Sequence, residues 1–154
     1  MNAWLPWLKI LLAAMVLSAA GSTAVWAALG EGADSIVADQ QEMGGTIKTI
    51  PKPDYTINEI TTRSGTLVRE YLSSDGRVFA VSWRGPSAPN LANLLGSYFQ
   101  QIQAAAAQKP ESSGPRTVTA GDVVFHSGGH MRSFWGRAVV PSLVPAGVNE
   151  AELK

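Results

Sequence analysis

The chain has no cysteine in its 154 residues. A disulfide framework, a thiolate zinc site and a cysteine nucleophile are therefore excluded. It also lacks net charge, because 12 Lys and Arg balance 12 Asp and Glu. Without a basic excess the chain has no footprint for non-specific nucleic-acid binding, and no nucleic-acid partner is expected. Histidine is scarce: His126 and His130 are the only two. No Gly-x-Gly-x-x-Gly, phosphate loop or Gly-x-Ser-x-Gly elbow occurs, so the common signatures of dinucleotide, nucleotide and α/β-hydrolase chemistry are missing. No cofactor is expected. What remains is an apolar content of 45%, ordinary for a globular protein and enough for one domain.

Residues 1–27 read as a secretory signal peptide. Lys9 and the free amine supply a positive start, and Ile10 to Ala20 is an uncharged run of 11, the length of a signal core. Gly21, Ser22 and Thr23 interrupt it. Val25-Trp26-Ala27 then sets small residues where a signal peptidase reads, so cleavage is expected after Ala27. The alternative is an uncleaved anchor, since no charge falls between Lys9 and Glu31; only then would the chain touch a membrane. Cleavage leaves 127 residues with 11 basic and 12 acidic side chains, and removes Trp4, Trp7 and Trp26 while keeping Trp83 and Trp135. The expected location is the periplasm or the exterior.

Residues 28–154 are expected to form a single α+β domain. Residues 33–43 have a thin apolar stripe that predicts a short N-terminal helix ending at Gly44-Gly45, and 28–54 complete this helix and a connector. Tyr55–Thr62, Thr66–Ser73 and Arg77–Arg84 alternate and are rich in Val, Ile, Thr, Tyr and Phe, which predicts a three-stranded meander. Arg63-Ser64-Gly65 and Ser74-Asp75-Gly76 divide the strands, each with glycine where a three-residue loop needs positive φ. The loop length matters for the carboxylates. A two-residue Ser64-Gly65 turn would oppose Glu59 to Glu70, whereas the three-residue loop opposes Glu59 to Arg69 and avoids like-charge repulsion. A catalytic acid pair is disfavoured on that ground.

Asn90 is a good N-cap. Leu91, Leu94, Leu95, Tyr98, Phe99 and Ile102 then recur at spacings of three and four, which predicts a helix packed across one face of the sheet. Gly96 weakens that helix without being expected to end it. Residues 108–116 read as a flexible loop. Thr117–Val140 reads as a C-terminal hairpin about Ser127-Gly128-Gly129, and Pro141 and Pro145 predict a coil over 141–154.

Candidate chemistry centres on two features. A Gly128-Gly129 turn puts His126 and His130 on opposite faces, whereas a three-residue loop makes them a directly opposed pair, half of a metal site near Asp122. The second is an interleaving of Arg69, Arg77, Arg84, Arg132 and Arg137 with Tyr71, Phe79, Trp83, Phe134 and Trp135. Solvated arginine tips on a half-buried sheet account for this pattern, and so does a contact surface for a protein or glycan, where Trp, Tyr and Arg are favoured.

The stretches Ala28-Leu29-Gly30, YTINEI (55–60), SGTLVREY (64–71), RVFAVSWRGP (77–86), NLANLLGSYF (90–99) and GHMRSFWGRAVVPSLVPAGV (129–148) together resemble a family of short exported proteins of Gram-negative bacteria that carry a domain of unknown function. That family often has Pro where this chain has Arg63. The resemblance implies export and one compact domain, and carries over no activity and no site residue.

The expectation is thus an exported, non-enzymatic binding or accessory protein of the cell envelope, its partner an envelope protein or a glycan. The expected binding residues are Arg69, Tyr71, Trp83, His130, Arg132 and Trp135, with no catalytic or metal-binding residue assigned. The alternative is a small metal-dependent or hydrolytic enzyme centred on His126 and His130.

Overall fold

The computed structural model describes residues 29, 30, 32, 44–108 and 114–154. The expected signal segment and N-terminal helix lie outside the described residues. Seven strands form one antiparallel sheet among those described: β1 (Thr46–Pro51), β2 (Tyr55–Thr61), β3 (Leu67–Ser73), β4 (Val78–Gly85), β5 (Arg116–Ala120), β6 (Val123–His130) and β7 (Ser133–Val139). Their spatial order is β1-β2-β3-β4-β7-β6-β5. The architecture is a sheet with helices on one face. The sheet is larger than a meander plus a hairpin, because part of the expected 28–54 connector is the edge strand β1, and the first arm of the expected Thr117–Val140 hairpin is two strands, β5 and β6. β1 carries Pro51 at its end and pairs only with β2, so the missing N–H disturbs no second ladder.

The two meander loops are as the sequence predicts. Gly65 and Gly76 have φ of 82° and 81°, and the backbone closes each loop with Gly65 N donating to Thr62 O at 3.0 Å and Gly76 N to Ser73 O at 2.9 Å. Glu59 stands opposite Arg69. Between β3 and β4 a β-bulge intervenes: Leu72 opposes Val78, but Tyr71 opposes Ala80, leaving Phe79 as the extra residue. Beyond the bulge every pairing is shifted by one, which reverses the face each β4 side chain takes. Trp83 consequently opposes Val68 rather than Leu67.

The helix expected over the Leu91–Ile102 stripe is two: α1 (Leu91–Leu95) and α2 (Tyr98–Ala107). Asn90 caps α1, its Oδ1 accepting from Ala92 N at 3.1 Å. Gly96, at φ 50° and ψ −128°, ends it; the break lets Leu94, Leu95 and Ile102 all reach the sheet. They pack with Ile60, Val68, Val81, Trp83, Val123 and Phe125 in the main core, to which Leu29 contributes from the start of the described chain.

The opposite face holds a smaller core of Tyr71, Phe79, Ala80, Val139 and Leu153. The segment expected to be a surface coil, 141–154, makes two short 3-10 turns (Pro141–Leu143 and Glu150–Glu152) and presses Leu153, only 1% exposed, onto this face. At about 25 cal/mol per Å², burying one leucine stabilises by roughly 2 kcal/mol, so the segment is part of the fold.

The hairpin at Ser127-Gly128-Gly129 is corrected. β6 runs straight through these residues, and the turn is Met131-Arg132, with φ of 48° and 68°. His130 pairs with Ser133 across it. The two glycines serve close approach instead: a Cβ on Gly128 would meet the Trp135 ring at 2.8 Å, and one on Gly129 would meet Ser133 O at 2.4 Å.

Candidate functional site

Strand register sets two adjacent rows of side chains across the face opposite the helices. One row runs Glu59, Arg69, Ser82, Arg137, His126 and Thr117 from β2 to β5. The next runs Leu67, Arg84, Trp135 and Gly128 from β3 to β6. The C-terminal segment packs on the apolar row beyond, Ile57, Tyr71, Ala80 and Val139, and meets the polar one where Lys154 O accepts from Arg69. Between this segment and Trp135 lies a cleft of about 650 Å³, bordered by Leu67, Arg69, Ser82, Trp83, Arg84, His126, Trp135, Gly136, Arg137, Leu153 and Lys154. Clefts of a few hundred to a thousand Å³ suit small ligands or short segments of larger ones.

The charged side chains that border this cleft are cationic, with Glu59 paired to Arg69 and Glu150 within electrostatic reach of His126. Three arginines, Lys154 and an imidazole border it, and no Asp or Glu does. Arg69 is occupied: its Nε donates to Glu59 Oε1 at 2.7 Å and its Nη1 to Lys154 O. Arg137 steadies the C-terminal segment through Nη1, which donates to Glu150 O at 2.9 Å. Neither Arg84 nor Arg137 has a carboxylate partner among the described residues. Trp135 is 36% exposed, unusual for its size. Its ring lies across Gly128, with Cζ2, Cε2 and Nε1 all near the position a Cβ would take, so the other ring face is open to the cleft.

Burial together with the Arg137 guanidinium pushes the His126 imidazole below its usual value, against a smaller upward pull from Glu150. Its Nδ1 lies 2.9 Å from Thr117 Oγ1. No carboxylate orients the ring among the described residues, so the pair is a cross-strand hydrogen bond without the third member of a catalytic triad. His130 stands on the same face of the same strand, four residues and about 13 Å away by strand rise. One metal ion cannot span that distance. Neither geometry expected from the sequence is present, because the turn is elsewhere. Among the described residues no three His, Asp or Glu side chains gather as metal ligands.

The six expected binding residues divide. Arg69 and Trp135 border the cleft. Tyr71 is on the same face but is 2% exposed and built into the smaller core; its hydroxyl donates to Lys154 O at 2.9 Å, and burial pushes its pKa up. Trp83 also borders the cleft, but its ring packs into the main core on the helix side, 5.8 Å from Phe125. The bulge in β4 is the reason. His130 and Arg132 sit at the hairpin tip, beyond the cleft. Arg84, Arg137 and His126 complete the site in their place. Arg84 and Arg137 were legible as part of the arginine and aromatic interleaving; their convergence needed the β4–β7 pairing, which joins segments some fifty residues apart.

Residues 25–153 match the family model described as "Protein of unknown function (DUF2844)". The match covers most of the chain, and the chain belongs to this family. No curated protein and no solved structure matches it.

Proposed function

We propose that this member of the DUF2844 family is an exported protein of the cell envelope that binds an envelope partner and performs no catalysis. The observation that carries the reading is the cleft: Arg84, Arg137, His126 and an open Trp135 face converge on one patch bordered by no acidic side chain. Such a patch holds an anion by charge-assisted hydrogen bonds and has an aromatic anchor of the kind that dominates recognition surfaces. No nucleophile with an oriented base accompanies it among the described residues. Export is supported by the residue 1–27 pattern.

The test is capture from the envelope fraction with wild-type protein and with Arg84→Glu. A partner retained by wild type and lost with the variant is the expected result; equal capture by both overturns the reading. Intact mass of the exported protein should begin at Ala28, and a mass beginning at Met1 would refute cleavage.

A further inference from the structure

The cleft carries more than a charge preference. β3, β4, β7 and β6 are interior strands, each paired on both sides. Their backbone N–H and C=O groups are committed to the ladders, so the cleft cannot take an extended peptide as an added strand, the mode that gives peptides main-chain affinity. Recognition there must run through side chains alone. These side chains are a flat indole with one face open, two guanidiniums flanking it, and a hydroxyl and an imidazole behind. Arg84 is directly opposite Trp135 across β4 and β7, and Arg137 is two residues along β7 on the same face. Both arginines therefore start beside the indole, since directly opposed side chains begin about 5 Å apart, and Arg84 and the Arg137 nitrogens not held by Glu150 O are placed for the rim of a ring laid on it. His126, in the neighbouring row, can exchange a hydrogen bond with a hydroxyl group, whereas Ser82 beside it is 4% exposed and shares its hydroxyl with Tyr71.

We infer that the cleft binds an anionic sugar, its ring stacked on Trp135 and its carboxylate or phosphate held by Arg84 and Arg137. This rests on the binding reading above and narrows it to one class of ligand. The ring supplies apolar C–H surface for the indole, the anionic substituent meets two guanidiniums that have no carboxylate partner among the described residues, and a hydroxyl meets His126. Glu59 limits the third cation, because Arg69 is already ion-paired.

The test is calorimetric titration of the purified protein with trigalacturonate, galactotriose, a hexose phosphate and triglutamate. Trigalacturonate or the hexose phosphate should bind, and which of them binds better identifies the anionic group. Galactotriose should bind at least about tenfold more weakly, the scale of one lost charge-assisted hydrogen bond. Arg84→Ala and Trp135→Ala should each lose about tenfold or more, while Arg132→Ala, at the hairpin tip, should bind like wild type. Thermal melts of the same variants should stay close to wild type, since Arg84 and Trp135 are exposed. Equal affinity for galactotriose, equal or tighter binding of triglutamate, no binding of either anionic sugar, or unchanged binding by both cleft variants would each overturn the inference. Should the sugars fail while envelope capture is still lost with Arg84→Glu, the inference falls and the binding reading stands. Should capture also be insensitive to Arg84→Glu, both fall.

Discussion

Two glycines on neighbouring strands allow one substitution to be compared on the two faces of the sheet. Gly136 faces the helices and lies under the Trp83 ring; a Cβ there would sit 2.2 Å from Cζ2 and 2.7 Å from Cε2 and Cη2. Trp83 is 4% exposed and packs on Phe125, so it has nowhere to go. Overpacking of this kind costs about 1–3 kcal/mol, and the tightness of the contact places Gly136→Ala at the upper end. Gly128 faces the cleft, and its Cβ would meet the Trp135 ring at 2.8 Å. That ring is over a third exposed and can swing outward, at about 1 kcal/mol for a poorer rotamer. The loss of unfolded-state freedom on replacing glycine offsets roughly half of this. Gly136→Ala should therefore lower stability by about 2–3 kcal/mol, and Gly128→Ala by less than about 0.5 kcal/mol. At about 4 °C per kcal/mol for a domain of this size, the first should melt roughly 10 °C lower and the second near wild type. Urea and thermal unfolding followed by far-UV circular dichroism would measure both. Equal losses, or a Gly136→Ala protein as stable as wild type, would refute the assignment of the two tryptophans to opposite faces.

Leu153→Ala should cost about 2–3 kcal/mol, the low end for a buried leucine because a segment near the end of the chain relaxes into the space; a urea midpoint unchanged from wild type would mean the segment is not part of the fold. Glu59→Gln removes the partner of Arg69 and should tighten binding of an anionic ligand while lowering stability by about 1 kcal/mol or less; weaker binding in calorimetry would count against a cationic cleft. His126 is held below its ordinary value of 6.5 by burial and by Arg137, against Glu150, and hydrogen-bonds Thr117. With the folded pKa depressed, the unfolded chain takes up the proton first. Stability from the neutral ring is thus complete above about pH 6.5 and declines as the pH falls below it. His126→Gln should flatten this part of the stability profile, and a wild-type profile already flat between pH 7 and 5 would contradict the assignment.

The meander was legible because its loops carry their own chemistry. Gly65 and Gly76 occupy the positions that need positive φ, and the Glu59–Arg69 pairing follows from loop length alone. β1 was hidden by Pro51 at its end and Pro53 just beyond it; an edge strand tolerates the first. Gly128-Gly129 imitates a hairpin turn, while the real turn uses Met131 and Arg132, residues that rarely take positive φ. The helix break at Gly96 was present as a weak residue and decided by packing. The site was half legible. Arg69 and Trp135 stand out by residue type and border the cleft, whereas the Trp83 ring lies on the helix side, because a bulge at Phe79 reverses strand parity and leaves no mark in the sequence. Arg84 and Arg137 meet only through the long-range pairing of β4 with β7.

The central claim is that ligand binding occupies the Trp135 face of the sheet and leaves the Trp83 face untouched. On the proposed cleavage the exported protein keeps these two tryptophans alone, so its indole N–H resonances report each face separately. In a titration with trigalacturonate followed by ¹H–¹⁵N correlation spectra, the Trp135 indole signal should shift progressively to saturation and the Trp83 signal should stay in place. Movement of Trp83 with Trp135 unaffected, or no movement of either, would contradict the account.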